Sequence, residues 1–206
     1  MTKQESRCIL LTGFEPFSGE SINPSWELAQ TLDGEVIAGH RVVAICLPCV
    51  FGASLKILHA AIAKYQPQLV LALGQGSDRS RLSLERVAIN IDDARIPDNA
   101  GAQPLDRAVV PGAPVAYFSS LPLKTMLAAL RAVGIPAEIS QTAGTFVCNH
   151  VFYGLMHALA EQPGVRGGFL HVPYLPEQAT QHPGAPCLSL ADGSNGIRIA
   201  LRAALA

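Results

Sequence analysis

The sequence has few charged residues and no excess of basic ones. Its 206 residues contain 15 Lys plus Arg and 16 Asp plus Glu, which gives a formal net charge of −1. A protein that binds nucleic acid usually carries a dense basic patch, which attracts the phosphate backbone. This composition therefore argues against a nucleic-acid partner.

Long hydrophobic runs are missing from the start of the chain. Residues 1–7 are polar and the apolar run behind them is short, so we expect neither a signal-peptide core nor a membrane span there. Five cysteines cannot all pair within one chain, and a core of this size needs no disulfides. Both observations predict a cytoplasmic protein without a membrane partner.

The sequence also lacks internal repeats, low-complexity tracts and blocks of like charge. Because its length is ordinary for one domain, we expect a single domain over residues 1–206. Hydrophobic residues make up 49% of the chain. Strands that are covered on both faces, as in α/β proteins, would account for that share.

Apolar runs and helical spacing alternate along the chain. The apolar runs predict strands at residues 8–12, 40–48, 69–73, 86–91, 137–141 and 168–172. Helical spacing predicts helices at residues 23–32, 54–65, 122–133, 151–160 and 195–206. This alternation predicts an α/β fold with helices on both faces of a layered sheet. The segment 92–120 is rich in Pro and Gly, which indicates a functional or disordered loop.

Cys148 is the first candidate for chemistry. It lies in TFVCNH at residues 145–150, between a predicted strand and a predicted helix. The positive end of a helix dipole and its unpaired N–H groups favour a thiolate over a thiol, so this position predicts a nucleophile. The alternative is a small buried side chain chosen for packing.

A cysteine nucleophile needs a base, and helix geometry limits the choice. His150 follows Cys148 by two residues, roughly 200° around the helix, and His157 lies more than two turns away. His171 is on the next predicted strand, where a parallel neighbour would present it at the same sheet edge. It is therefore the candidate base, with a half-buried core histidine as the alternative.

Three acids are candidates for orienting that histidine. Glu85 precedes the predicted strand 86–91, and Asp92 and Asp93 follow it. A carboxylate that accepts a hydrogen bond from the imidazole would fix its tautomer. Spacing alone does not choose among the three.

Two other motifs suggest different functions. Cys46 and Cys49 form a C-x-x-C between a predicted strand and a predicted helix, the setting of a redox pair, although two packed cysteines would look the same. Gly74 and Gly76 follow a predicted strand as part of a G-x-G-x-x-G pattern, but Arg79 occupies the third glycine position. The glycines suggest either a plain turn or a non-catalytic site for nucleosides.

Aromatic residues lie on the loops next to the predicted strand ends. They are Phe14 and Phe17 on one loop, and Phe146 beside the cysteine. Such residues form either lids over the core or the walls of an apolar pocket.

Five motifs, in order over nearly the whole chain, resemble those of the pyroglutamyl peptidase I family, also called pyrrolidone-carboxylate peptidases. They are LTGFEPF at 11–17, NPSW at 23–26, ERVAIN at 85–90 with DARIPDN at 93–99, TAGTFVCNH at 142–150 and HVPYLPE at 171–177. The resemblance implies a three-layer α/β/α sandwich, similar to purine nucleoside phosphorylases. It also implies a cysteine exopeptidase that removes an N-terminal pyroglutamyl residue from peptides through an acyl-thioester.

The same resemblance implies which residues act. The family triad corresponds to Glu85, Cys148 and His171, which selects Glu85 among the three acids. The residues that correspond to the pocket for the pyroglutamyl ring are Phe14, Phe17, Asn23, Gln75, Phe146 and Val147. Arg95 is implied as an oxyanion contact beside the Cys148 backbone N–H. The resemblance implies no cofactor and no metal, and it implies a homo-oligomer, a dimer or a tetramer.

Overall fold

The computed structural model describes residues 7–206, so the polar segment 1–6 lies outside the described residues. The strands are β1 (Cys8–Phe14), β2 (Val36–Ile37), β3 (His40–Leu47), β4 (Leu69–Gln75), β5 (Leu82–Glu85), β6 (Val87–Ile89), β7 (Ala116–Phe118), β8 (Ala137–Ser140) and β9 (Arg166–Val172). The α-helices are α1 (Pro24–Thr31), α2 (Ala53–Tyr65), α3 (Leu123–Ala132), α4 (Val147–Leu159) and α5 (Leu190–Leu205).

A central sheet has the strand order β2-β3-β1-β4-β9-β5-β8. The strands β3, β1, β4 and β9 run parallel to one another, whereas β5 is antiparallel to β9 and parallel to β8. The residues of β1 and β4 are buried throughout, as expected for parallel strands that are covered on both faces. β6 and β7 pair in a separate two-stranded sheet.

Helices cover both faces of the sheet. One hydrophobic cluster joins the sheet to α1, α3 and α5 through residues such as Leu28, Met126 and Ile197. A second cluster joins the opposite face to α2 and α4 through Leu58 and Phe152. The predicted α/β fold with three layers is therefore confirmed.

Local sequence explains where α1 begins. Asn23 accepts a hydrogen bond from the Ser25 backbone N–H, and Pro24 occupies the first helical position, where no N–H is needed. The Ser25 hydroxyl in turn accepts a hydrogen bond from the Phe14 backbone N–H at the end of β1. These contacts fix the loop between β1 and α1, which carries Phe17.

The structure corrects several predicted boundaries, and helix α5 begins at Leu190 and not at residue 195. The strand predicted at residues 86–91 is shorter, since β6 covers only Val87–Ile89, and it follows β5 (Leu82–Glu85), which the sequence did not predict. The chain leaves the central sheet at Arg86 because β6 pairs with β7 instead, a long-range pairing that local sequence does not reveal. Helix α4 begins at Val147 and not at Val151, so Cys148 lies inside its first turn.

The segment 92–120 is largely irregular but has its own hydrogen bonds. It contains β7 and an isolated bridge between Asp92 and Arg107. The Asp98 carboxylate accepts hydrogen bonds from the backbone N–H groups of Phe51, Ala100 and Ala102. In the part of the chain from 7 to 206, no helix is both long and apolar enough to cross a membrane.

Candidate active site

A cavity of about 450 Å³ opens beside the ends of β4 and β9. Cys148 and His171 both line it. Of the other predicted site residues, Phe17, Gln75, Arg95 and Phe146 line the same cavity. The fold therefore brings together residues that are far apart in the sequence, at the strand ends where α/β proteins commonly bind ligands.

His171 is held by Glu85 across two antiparallel strands. In the β5–β9 pair, His171 is opposite Ser83 and Glu85 is opposite Phe169. Glu85 and His171 are thus diagonal neighbours on one face, within reach of long side chains. Their atoms Oε1 and Nδ1 are 2.8 Å apart. Because an ionised carboxylate only accepts, Nδ1 carries the proton and Nε2 is left as an acceptor.

Glu85 is fully buried, with 0% of its surface exposed. The Arg79 guanidinium lies 3.7 Å from Oε1 of Glu85 and donates a hydrogen bond of 3.1 Å to the Thr142 carbonyl. Within residues 7–206, Oε2 of Glu85 has no hydrogen-bond partner. A buried carboxylate is costly without opposite charge, so Arg79 and a protonated His171 are the two groups that can stabilise it.

Cys148 is the second residue of α4, after Phe146 as the N-cap. The N–H groups of a first helical turn have no partner inside the helix, so the Cys148 N–H is available to an oxyanion. Burial, and then the nearby Cys49 and Glu85, raise the pKa of the Cys148 thiol, which opposes the lowering expected at a helix start. The thiol therefore needs a base to accept its proton.

Gly74 makes room for the thiol. A Cβ atom at this position would lie 2.8 Å from Sγ of Cys148 and 2.7 Å from the ring of Phe169. At Gly76, a Cβ would lie 2.5 Å from the side chain of Arg79. The two glycines that suggested a nucleoside site thus permit close approach of the chain's own Cys148 and Arg79.

Replacing Gly74 with alanine is expected to lower kcat by about 100-fold, since a reacting atom displaced by about 1 Å loses that much. The fully buried Phe169 ring cannot move aside, so the sulfur of Cys148 has to. Steady-state kinetics on a pyroglutamyl amide, together with the thermal midpoint of the variant, checks this. A folded variant with the wild-type kcat would contradict it.

His150 has a structural role. Its Nε2 accepts a hydrogen bond of 2.9 Å from the Gly52 N–H, and its Nδ1 lies 2.8 Å from the Asp92 carboxylate. Both ring nitrogens are therefore occupied, and Asp92 is paired with His150 and not with His171. Asp93 is exposed and lines the cavity.

Aromatic rings form one side of the cavity. Phe17 and Phe146 are half-buried, and their ring centroids are 6.2 Å apart. Phe51 packs edge-on against Phe146 at 5.4 Å. The structure thus gives Phe17 and Phe146 the position of apolar walls, and Phe51 supports Phe146 from behind.

Three predicted pocket residues do not line the cavity with their side chains. Phe14 and Val147 belong to the core between the sheet and helices α2 and α4. Asn23 is buried, where it caps α1 and donates a hydrogen bond of 2.9 Å to the Glu15 carbonyl. Val147 is the first residue of α4, so its backbone N–H remains available at the helix start.

Comparison with known proteins identifies the family. A family model described as pyroglutamyl peptidase matches residues 7–206. The pyrrolidone-carboxylate peptidase of Klebsiella pneumoniae is 59% identical over 197 residues, which cover 96% of this chain and 92% of that protein. The corresponding protein of Cupriavidus necator is 58% identical over 201 residues, 97% of this chain and 93% of that one. This chain belongs to the pyroglutamyl peptidase family.

Solved structures of the family have the same fold. A crystal structure of pyroglutamyl peptidase I from Bacillus amyloliquefaciens has a TM-score of 0.93 and 46% identity, and the match covers 96% of both chains. A variant of the pyrrolidone carboxyl peptidase of Pyrococcus furiosus has a TM-score of 0.93 and 41% identity, over 96% of this chain and 97% of that one. The expected family, fold and enzyme class are confirmed: the chain is a cysteine-type peptidase of the family that removes N-terminal pyroglutamate.

Cys46 and Cys49 of this family member show no sign of redox activation. Cys46 and Cys49 are both free thiols. Burial raises the pKa of Cys46 to about 11 and that of Cys49 to about 12, whereas a redox-active thiol has a lowered value. Among residues 7–206 no cluster of His, Cys, Asp and Glu has the arrangement of a metal site.

Sequence reasoning missed several residues of the site. In the sequence, Arg79 is notable only because it replaces the third glycine of the G-x-G-x-x-G pattern. Phe51 belongs to none of the motifs. Gln178 contacts Gln75 from a separate turn, and no local signal in the sequence points to that contact.

Proposed function

We propose that this chain hydrolyses peptides with an N-terminal pyroglutamyl residue, as a single peptidase domain, with Cys148 as nucleophile, His171 as base and Glu85 as the orienting acid. One observation carries the assignment of the triad. The 2.8 Å contact from His171 Nδ1 to buried Glu85 leaves the other imidazole nitrogen as an acceptor, in the cavity that Cys148 also lines.

In the first step, Sγ of Cys148 bonds to the carbonyl carbon of the scissile amide, which joins the pyroglutamyl group to the leaving amine. His171 Nε2 takes the thiol proton at the same time. Since the pKa of the Cys148 thiol is raised, proton transfer during attack avoids a free thiolate. The imidazolium that results lies against Glu85, which stabilises its charge.

The carbonyl oxygen becomes negative as the bond forms. We propose that the backbone N–H groups at the start of α4 donate to it, with Arg95, which is exposed and lines the cavity, as a further cation. Removing one donor of this kind typically costs about 3–4 kcal/mol of barrier. His171 then gives its proton to the leaving amine as the C–N bond breaks, and water hydrolyses the thioester with His171 again acting as base.

The cavity also supports the choice of substrate. The pyroglutamyl ring is a flat, neutral lactam, which fits apolar walls with a few placed hydrogen bonds. Phe17 and Phe146 provide such walls, and Gln75 provides a polar group. An ordinary N-terminus would bring an ammonium group into this cavity, and burying an unpaired charge is costly.

A panel of three fluorogenic amides tests the proposal. We expect reduced, folded protein to release the amine from the pyroglutamyl amide, but not from the prolyl or glutamyl amides. Prolyl amide keeps the ring size and lacks the lactam carbonyl, and glutamyl amide keeps the carboxyl carbon and lacks the ring. Hydrolysis of all three amides would refute the proposed specificity. Hydrolysis of none of them would refute the proposed activity.

We also propose that the protein is a cytoplasmic homo-oligomer, a dimer or a tetramer. The free cysteines support a reducing compartment. Exposed apolar side chains on the irregular segment and β7, Leu105, Val115 and Phe118, support contact between copies.

A further inference from the structure

Gln178 is a buried glutamine, and both the oxygen and the nitrogen of its side-chain amide make hydrogen bonds. It ends a short 3₁₀ turn, Pro176–Gln178, and is 2% exposed. Its Oε1 accepts a hydrogen bond of 3.1 Å from the Leu175 backbone N–H. Its Nε2 donates to Oε2 of Glu20 at 3.1 Å and to Oε1 of Gln75 at 3.2 Å.

The direction of these hydrogen bonds is fixed by chemistry. A backbone N–H can only donate, so the Gln178 atom that faces Leu175 is the carbonyl oxygen. The other end of the amide is therefore NH₂, with two hydrogens to donate. The ionised carboxylate of Glu20 accepts one. The Gln75 atom that faces the second must be an acceptor, which is its oxygen.

These hydrogen bonds determine which atoms of the Gln75 amide remain free to bind the substrate. Its oxygen is turned towards Gln178, and within residues 7–206 its Nε2 makes no hydrogen bond. Gln75 is at the end of β4 and lines the cavity that holds Cys148 and His171. The side chain therefore presents hydrogen-bond donors, and not an acceptor, to a ligand in that cavity.

Glu20 is itself held from the other side. His182 contacts Oε1 of Glu20 through Nε2, and its ring stacks on Tyr174 with a centroid distance of 4.3 Å. Glu20 thus stays beside Gln178, and a turned Gln178 amide would set its oxygen against this carboxylate. The alternative orientation of Gln178 is disfavoured at both ends, by Glu20 and by the Leu175 N–H.

We propose that Gln178 is a positioning residue for substrate specificity: it holds the Gln75 amide so that its N–H groups meet the ring carbonyl of the pyroglutamyl group. This inference rests on the proposed function of the cavity. It adds a residue that touches no substrate and acts through Gln75. A ring without that carbonyl would leave the Gln75 donors unpaired, which is how a polar site rejects an analogue.

The test isolates the ring carbonyl with two aldehyde inhibitors. In 3-oxocyclopentanecarbaldehyde the ring keeps the carbonyl and replaces the lactam N–H with CH₂, and cyclopentanecarbaldehyde lacks both groups. Inhibition constants are measured against hydrolysis of a pyroglutamyl amide by wild type, Gln178→Met and Gln178→Glu. We expect the carbonyl to tighten inhibition by about 100-fold in wild type and by about 10-fold or less in both variants.

The ratio of the two inhibition constants separates a positioning role from structural damage. Damage near the thiol would weaken inhibition by both aldehydes equally and leave the ratio unchanged. Glu177→Gln, an exposed neighbour on the same turn, is the matched control and is expected to keep the wild-type ratio. The wild-type ratio in either Gln178 variant that folds by thermal unfolding would overturn the inference. Absence of pyroglutamyl amide hydrolysis by wild type would instead overturn the proposed function.

Discussion

Replacing Cys148 with serine is expected to lower kcat on a pyroglutamyl amide by roughly 10⁴- to 10⁶-fold, the range seen when a hydrolase loses its nucleophile. A hydroxyl in place of the thiol is a far weaker nucleophile at the same position, in the first turn of α4. The substitution replaces one partly buried atom with a smaller one, so the fold is expected to survive. Steady-state kinetics and the thermal midpoint of unfolding measure both effects.

Cys187 provides the control for this prediction. It is a free and exposed cysteine that does not line the active-site cavity, and Cys187→Ser is expected to keep the wild-type kcat. Alkylation with iodoacetamide should stop hydrolysis in wild type and in Cys187→Ser alike. If Cys148→Ser retains more than about one hundredth of the activity, the nucleophile is another residue.

Much of the fold could be predicted because its local and tertiary signals agree. The capping side chain of Asn23 and the ring of Pro24 mark the start of α1 in the sequence and in the structure. The buried run that forms β4 is apolar through Leu73 because both faces of the sheet are covered. Such elements need no knowledge of their neighbours.

The division between β5 and β6 could not be predicted in this way. The apolar pattern predicts one strand at residues 86–91 and none at Leu82–Glu85, because local sequence does not show where the chain changes its pairing partner. Only the pairing of β6 with β7, about thirty residues further along the chain, separates them. Glu85 therefore ends a strand of the central sheet, the position from which it reaches His171.

The site shows the same limit. Cys148 and His171 were expected from their positions at a helix start and on a neighbouring strand. The choice of Glu85 over Asp92 and Asp93 came from the family resemblance, since spacing cannot show that Asp92 pairs with His150. The raised pKa of Cys148 was likewise beyond the sequence, because it results mainly from burial by residues that folding brings together.

Replacing Glu85 with glutamine is expected to lower kcat by about 10³- to 10⁴-fold, although the side chain keeps its shape. The amide group can donate a hydrogen bond to Nδ1 of His171, which favours the tautomer with the proton on Nε2. That tautomer cannot accept the proton of Cys148. The substitution also removes the negative charge that stabilises the imidazolium during attack.

Glu138→Gln is the matched control, since Glu138 and Glu85 each lie 3.7 Å from the Arg79 guanidinium. Glu138 is on β8, is 33% exposed and accepts a hydrogen bond from Ser83, and it has no contact with His171. We expect its variant to stay within about threefold of wild type, as for most exposed substitutions. Equal losses in the two variants would show that Glu85 acts through Arg79 and not through the tautomer and charge of His171.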